Sequence, residues 1–238
     1  MNIKILFMLS LTVSLLFINI DVAYSQFTKT VVAVTGNVIN YNTKLPESIQ
    51  ITVFDNAGKK INSVKSNAAE GGYYYVTGLY PGNTYIFVVK EKNFLTERFE
   101  VSVPNSDKYL EISKDFLIKP NASGTAIKLA VSPFELKKSK LRYGSSVILN
   151  DVLNTVKYNP NVKFTVVSYP DGNDNTAANL ELTAKRSESL IDYFSVNGID
   201  PDNLTVKGTP NTDPKSPLPS QKAAKGKRYI GSVYIIIN

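Results

Sequence analysis

The chain has 238 residues, 43% of them hydrophobic and 20% charged, with a formal net charge of +7 and a pI near 9.3. That is apolar material for one or two packed domains and too much of it for global disorder. The sequence holds neither His nor Cys, which excludes Ser-His-Asp and Cys-His catalysis, imidazole and thiolate metal sites, disulfides and lipid attachment through an N-terminal Cys; no cofactor is implied.

The first 25 residues read as a secretory signal peptide. Lys4 supplies the positive start, Ile5 to Ile20 the apolar stretch, and Ala23-Tyr24-Ser25 places small residues at the two positions that a signal peptidase inspects. The alternative is an uncleaved membrane anchor, against which stand the short apolar run and the cleavage site. No second stretch is apolar enough to span a membrane, so the mature chain is expected to lack a transmembrane segment and to be exported. Export, and the lack of an aromatic-basic RNA motif, outweigh nucleic acid as the meaning of the basic balance. A polyanionic envelope polymer or an acidic partner suits it equally.

From Thr30 to about Pro120 the pattern is all-β. Val31 to Val34 leads through Gly36 into Val38-Ile39, and turn residues fill Asn40 to Pro46. Ile49 to Phe54 alternates and is followed by the turn Asp55-Asn56-Ala57-Gly58. Tyr73 to Val76, Tyr85 to Val89, and Phe99, Val101 and Val103 continue the series. Short strands with turn signals at this spacing imply a small β-sandwich, the class that includes transthyretin-like and Ig-like domains. Strand alternation makes every second ring of Tyr73-Tyr74-Tyr75 a core residue; a sugar-stacking platform is the other reading of that run.

After Pro120 the period changes. Asn121 to Thr125 is a polar connector and Ile127 to Val131 a short strand. Tyr143 to Tyr158 has helical spacing, with Ile148, Leu149, Val152, Leu153 and Val156 on one stripe. Phe164 to Val167 is a strand. Asn179 to Val196 is helical again, with Leu182, Leu190, Ile191 and Phe194 expected on the buried face and a stop at Asn197-Gly198. Leu204 to Gly208 and Tyr229 to Ile237 are strands. The order βαβαββ describes an α+β sandwich. The expected division is signal peptide 1–25, β-sandwich 26–119, linker and first strand 120–130, and α+β domain 131–238.

Two resemblances add to this. Val34 to Val38, Ile49 to Phe54, Gly72 to Val76 and Leu79 to Tyr85 resemble the carboxypeptidase regulatory-like, transthyretin-like sandwich, which implies an interaction module without an active site. The second half is similar to the OmpA-like (OmpA/MotB C-terminal) domain. Asp171 follows a strand, and from it Asn179 lies at +8, Leu182 at +11 and Arg186 at +15; Asn179-Leu180-Glu181-Leu182-Thr183 is the family's helix start. Gly198-Ile199 through Leu204 to Gly208 continues the match, and Phe134 to Leu141 resembles the family's first-strand segment. Ser168-Tyr169-Pro170 departs from the family's Gly-His-Thr, and Lys227-Arg228-Tyr229-Ile230 from its Asn-Arg-Arg-Val-Glu.

The resemblance implies non-covalent binding of peptidoglycan, whose diaminopimelate stem ends in an ammonium and a carboxylate. Asp171 would pair with the ammonium and Arg186, with its fork of donors, with the carboxylate. Asn179 would hold the loop or donate to the ligand, and Thr183 would lie in the first helical turn, where free N–H groups favour an anion. The chain would then tether an envelope assembly to the wall from the periplasm, its sandwich contacting an envelope protein partner. Two other readings stand beside this. Asp171 and Arg186 could pair with each other, leaving a degenerate domain that serves as a protein-interaction module. An enzyme would need a carboxylate pair or a Ser-Lys dyad, and Ser139-Lys140 and Ser220-Gln221-Lys222 have no supporting constellation.

Overall fold

The structure, a computed structural model, describes residues 31–172, 176–216 and 229–238. The expected signal segment, 1–25, lies outside them, as does most of the 209–226 loop. No helix among the described residues is long and apolar enough to cross a membrane. Contacts divide the chain into two compact units, residues 31–39, 46–88 and 98–116 against 40–45, 89–97 and 117–238.

The first half of the chain holds strands β1 (Val32–Asn40), β2 (Gln50–Asp55), β3 (Lys60–Lys65), β4 (Tyr73–Leu79), β5 (Thr84–Val89), β6 (Glu97–Ser102), β7 (Leu110–Ser113) and β8 (Phe116–Ile118). They form one four-stranded sheet in which β1 pairs with β4, β7 and β8, and a second in the order β3-β2-β5-β6. β3, β7 and β8 have no counterpart in the sequence reading; β3, Lys60 to Lys65, buries none of its residues, so no apolar alternation announces it.

Alternation decides which rings go inside. Tyr74 is 1% exposed while Tyr73 and Tyr75 are 41% and 42% exposed, as a strand with one buried face requires. The Tyr74 ring stacks on Phe116 at 5.1 Å, Phe99 stacks on Phe116 at 4.4 Å, and Phe87 meets Phe116 at 5.7 Å, so rings from both sheets share one core. The Tyr74 hydroxyl donates to the Lys114 carbonyl at 2.6 Å, which satisfies its polar end. Gly72 is needed here: at φ +82° an added Cβ would lie 2.4 Å from the Val38 carbonyl oxygen.

The second unit holds β9 (Ala126–Lys128), α1 (Ser145–Tyr158), β10 (Phe164–Ser168), α2 (Thr176–Val196), β11 (Leu204–Gly208) and β12 (Val233–Ile237), the expected βαβαββ order. The sheet runs β11-β10-β12-β9; β10 is parallel to β11 and antiparallel to β12. Central β10 is buried at every residue, which explains its unbroken run of apolar and small side chains. Leu149, Val152, Leu153 and Val156 of α1 pack with Phe164, Val166, Leu190, Phe194 and Ile235 in one core. Asn159 ends α1: its side-chain amide donates to the Thr155 and Thr96 carbonyls, and its oxygen accepts from the Thr96 N–H.

Four expectations need correction. The strand of this unit before α1 is Ala126–Lys128, and 134–141 is a loop closed by a single bridge, Phe134 to Leu141. The last strand starts at Val233 rather than Tyr229. α2 starts at Thr176, three residues earlier than read. Its buried face comprises Thr183, Arg186, Ser187, Leu190 and Phe194, while Ile191 is 48% exposed; steps of three and four residues from Arg186 select that stripe, and Ile191 falls one position off it.

Candidate functional site

The site lies at the C-terminal end of β10. Tyr169 continues the strand's pairing by donating its N–H to the Ser232 carbonyl at 2.9 Å, and Pro170 turns the chain so that the next side chain, Asp171, aims at α2. Arg186 faces the same place from the eleventh position of the helix. The two side chains meet as a fork: Nη1 donates to Oδ1 at 2.9 Å and Nη2 to Oδ2 at 2.8 Å. Their side chains are 0% and 5% exposed.

Burying a guanidinium is costly unless every donor is used, and here every one is. Besides the two bonds to Asp171, Nε donates to the Lys138 carbonyl at 3.0 Å, Nη1 to Tyr169 at 3.2 Å and Nη2 to Glu135 at 3.2 Å. That accounts for all five N–H groups of an arginine. The face of the guanidinium lies 4.8 Å from the Phe134 ring centroid, a favourable cation–π placement. The carboxylate is equally complete: Oδ2 accepts the Lys137 N–H at 2.6 Å and Oδ1 the Gly231 N–H at 2.7 Å. Three chain segments, 135–138, 169–171 and 231, are thus tied to one ion pair.

The other two expected residues hold the surrounding backbone. The Asn179 amide donates to the Gly172 carbonyl at 2.6 Å and to Pro210 at 3.2 Å, the loop-holding role. Because α2 starts at Thr176, Thr183 is two turns inside the helix rather than in its first turn. It is fully buried, and its hydroxyl donates to carbonyls, Asn179 at 3.0 Å and Thr209 at 3.2 Å among them; it therefore offers no helix-terminal N–H to an anion. An added Cβ on Gly208 would come within 2.6 Å of Thr183, so helix and strand touch there.

Two further features escaped the sequence reading. Gly231 fits against the Tyr169 carbonyl, where an added Cβ would lie at 1.9 Å; an isolated Gly before a strand is the signal for such an approach. Asp213 is 1% exposed and accepts from the Tyr234 hydroxyl at 2.8 Å and the Lys215 N–H at 2.9 Å. Burial and then that acid push the Tyr234 hydroxyl well above its ordinary pKa, and burial followed by Asp213 does the same for Tyr169 and Tyr229. No signal in the sequence distinguishes Asp213 from its neighbours in a polar loop. Ser220, Lys222, Lys227 and Arg228 lie outside the described residues.

Residues 133–228 match the family model described as "OmpA family". Over 91 residues the chain is 26% identical to the peptidoglycan-binding protein ArfA of Mycobacterium tuberculosis, a match covering 38% of this chain and 27% of that protein. The matches span no more than 27% of the length of these curated relatives. Among solved structures it is similar to the peptidoglycan-associated lipoprotein from Burkholderia pseudomallei (12% identity, 48% of this chain and 89% of that chain, TM-score 0.37). It is also similar to the periplasmic domain of Helicobacter pylori MotB (17% identity, 48% and 76%, TM-score 0.39).

Proposed function

We propose that this chain, which carries an OmpA family domain at residues 133–228, binds peptidoglycan non-covalently through the zwitterionic end of a diaminopimelate stem peptide. In this reading it is exported to the periplasm, and the 131–238 domain attaches an envelope assembly that the 26–119 domain contacts through a protein partner. The observation that carries the proposal is the bidentate Asp171–Arg186 pair. It sets one anion and one planar cation side by side at the end of a rigid central strand. A ligand ammonium would take the carboxylate, and a ligand carboxylate would take the guanidinium in the same fork geometry. Asn179 and Thr183 hold the loops at Gly172 and Thr209–Pro210 that frame the pair. Kinship with a protein named for binding peptidoglycan supports the same reading.

A second reading is favoured by the burial of the pair: a guanidinium with no exposed surface and no spare N–H is a structural tie, and the domain then serves protein contacts alone. Co-sedimentation with purified sacculi separates the two. The first reading expects wild type in the pellet and Arg186→Lys, which keeps the charge but loses the fork, in the supernatant with an unchanged circular dichroism spectrum. Wild type remaining in the supernatant defeats the peptidoglycan reading.

A further inference from the structure

The ion pair is already engaged by the chain's own backbone. Loop 135–140 is closed at its base by the Phe134 to Leu141 bridge and by the Arg142 N–H donating to the Pro133 carbonyl at 2.9 Å. From this loop the Lys137 N–H reaches the Asp171 carboxylate, while the Glu135 and Lys138 carbonyls accept from the Arg186 guanidinium. A donor on the carboxylate and acceptors on the guanidinium are the groups an amino-acid zwitterion would present, here in uncharged form. We propose that residues 135–138 are an internal surrogate for the ligand, and that this loop leaves the pair when a zwitterion binds. The inference rests on the peptidoglycan reading above.

Two consequences follow from the chemistry. Hydrogen bonds between two ionised partners are stronger than those to a neutral amide, so a zwitterion can outcompete the loop. It must carry both charges to do so. A ligand with only an ammonium, or only a carboxylate, displaces the loop from both groups and satisfies one, leaving the other buried without its partner. The surrogate therefore acts as a specificity filter.

The loop is built to be displaced. Lys137 has φ +57°, a left-handed conformation that costs a non-glycine residue energy and persists where its surroundings enforce it. Lys137, Lys138 and Lys140 are exposed and Leu136 only half-buried, whereas Phe134 at the base is fully buried. The tip can move without opening the core.

The test uses the full mature chain and two soluble stem tripeptides, one ending in meso-diaminopimelate and one in lysine, whose side chain ends in an ammonium without the carboxylate beside it. Hydrogen exchange of the Lys137 amide is followed by NMR with and without each peptide. We expect the diaminopimelate peptide alone to bind and to speed exchange at Lys137. Lys137→Pro has no N–H to give Asp171 and cannot adopt positive φ; it should bind about tenfold more tightly, because the competing closed state is removed. Binding by wild type with the Lys137 amide unchanged or better protected overturns the surrogate and leaves wall binding standing. Equal binding of the lysine peptide does the same. Failure of wild type and Lys137→Pro alike to bind either peptide overturns both ideas, whereas binding by the variant alone supports the surrogate.

Discussion

The two helices of the α+β unit solve the same packing problem with different materials. α1 turns Leu149, Val152, Leu153 and Val156 inward, an apolar stripe stabilised by removal from water. α2 turns inward Thr183, Arg186 and Ser187 before it reaches Leu190 and Phe194. Its first half is held by hydrogen bonds that must all be completed at once, since a buried polar group without a partner is costly. The difference shows where this fold spends stability on specification. The apolar helix tolerates any filling of similar size, while the polar helix needs a full set of partners around a single guanidinium, supplied here by segments 135–138, 169–171 and 231.

Substitutions sharpen that contrast. Arg186→Ala leaves Asp171 buried without its cation, and Asp171→Ala the reverse; each should cost about 3–5 kcal/mol in denaturant unfolding. A loss below about 1 kcal/mol, the range of an exposed pair, would mean that the pair does not hold the loops together. Leu153→Ala on α1 should cost about 3 kcal/mol, near the middle of the range for large-to-small changes in a core. Unlike Arg186→Ala, it should leave the exchange rate of the Lys137 amide unchanged.

The smallest effect concerns pH. Burial first, and Asp213 after it, raise the hydroxyl pKa values of Tyr169, Tyr234 and Tyr229. The folded state holds these protons more tightly than the unfolded chain. The associated stability is therefore complete below the unfolded tyrosine value of about 10 and is lost as pH rises through the folded values. The urea midpoint should fall on the alkaline side. Asp213→Asn should let these tyrosines ionise at lower pH in a tyrosinate absorbance titration, and an unchanged titration would show that Asp213 does not act on them.

Much of the architecture was readable from residue order. Strand alternation sorted Tyr74 from Tyr73 and Tyr75, the 3.6-residue period located α1, and the offsets from Asp171 to Asn179 and Arg186 picked out the pair that the fold brings together. These are local properties, written into the spacing of side chains along one element. Periodicity failed on α2 because it ranks side chains by apolarity: it took Ile191 as buried and could not place an arginine on the inward face. The partners that make that placement stable are the carbonyls of Glu135, Lys138 and Tyr169 and the N–H groups of Lys137 and Gly231. Every residue but proline carries such groups, whatever its side chain, so nothing in the letters marks the ones that will be used. Residue order is enough to set both helices and most of the strands, and the spacing it shares with the OmpA-like domain singles out Asp171 and Arg186. That those charges are buried against each other and closed over by a backbone loop follows from the fold alone, because it depends on where three segments distant in the chain come to lie.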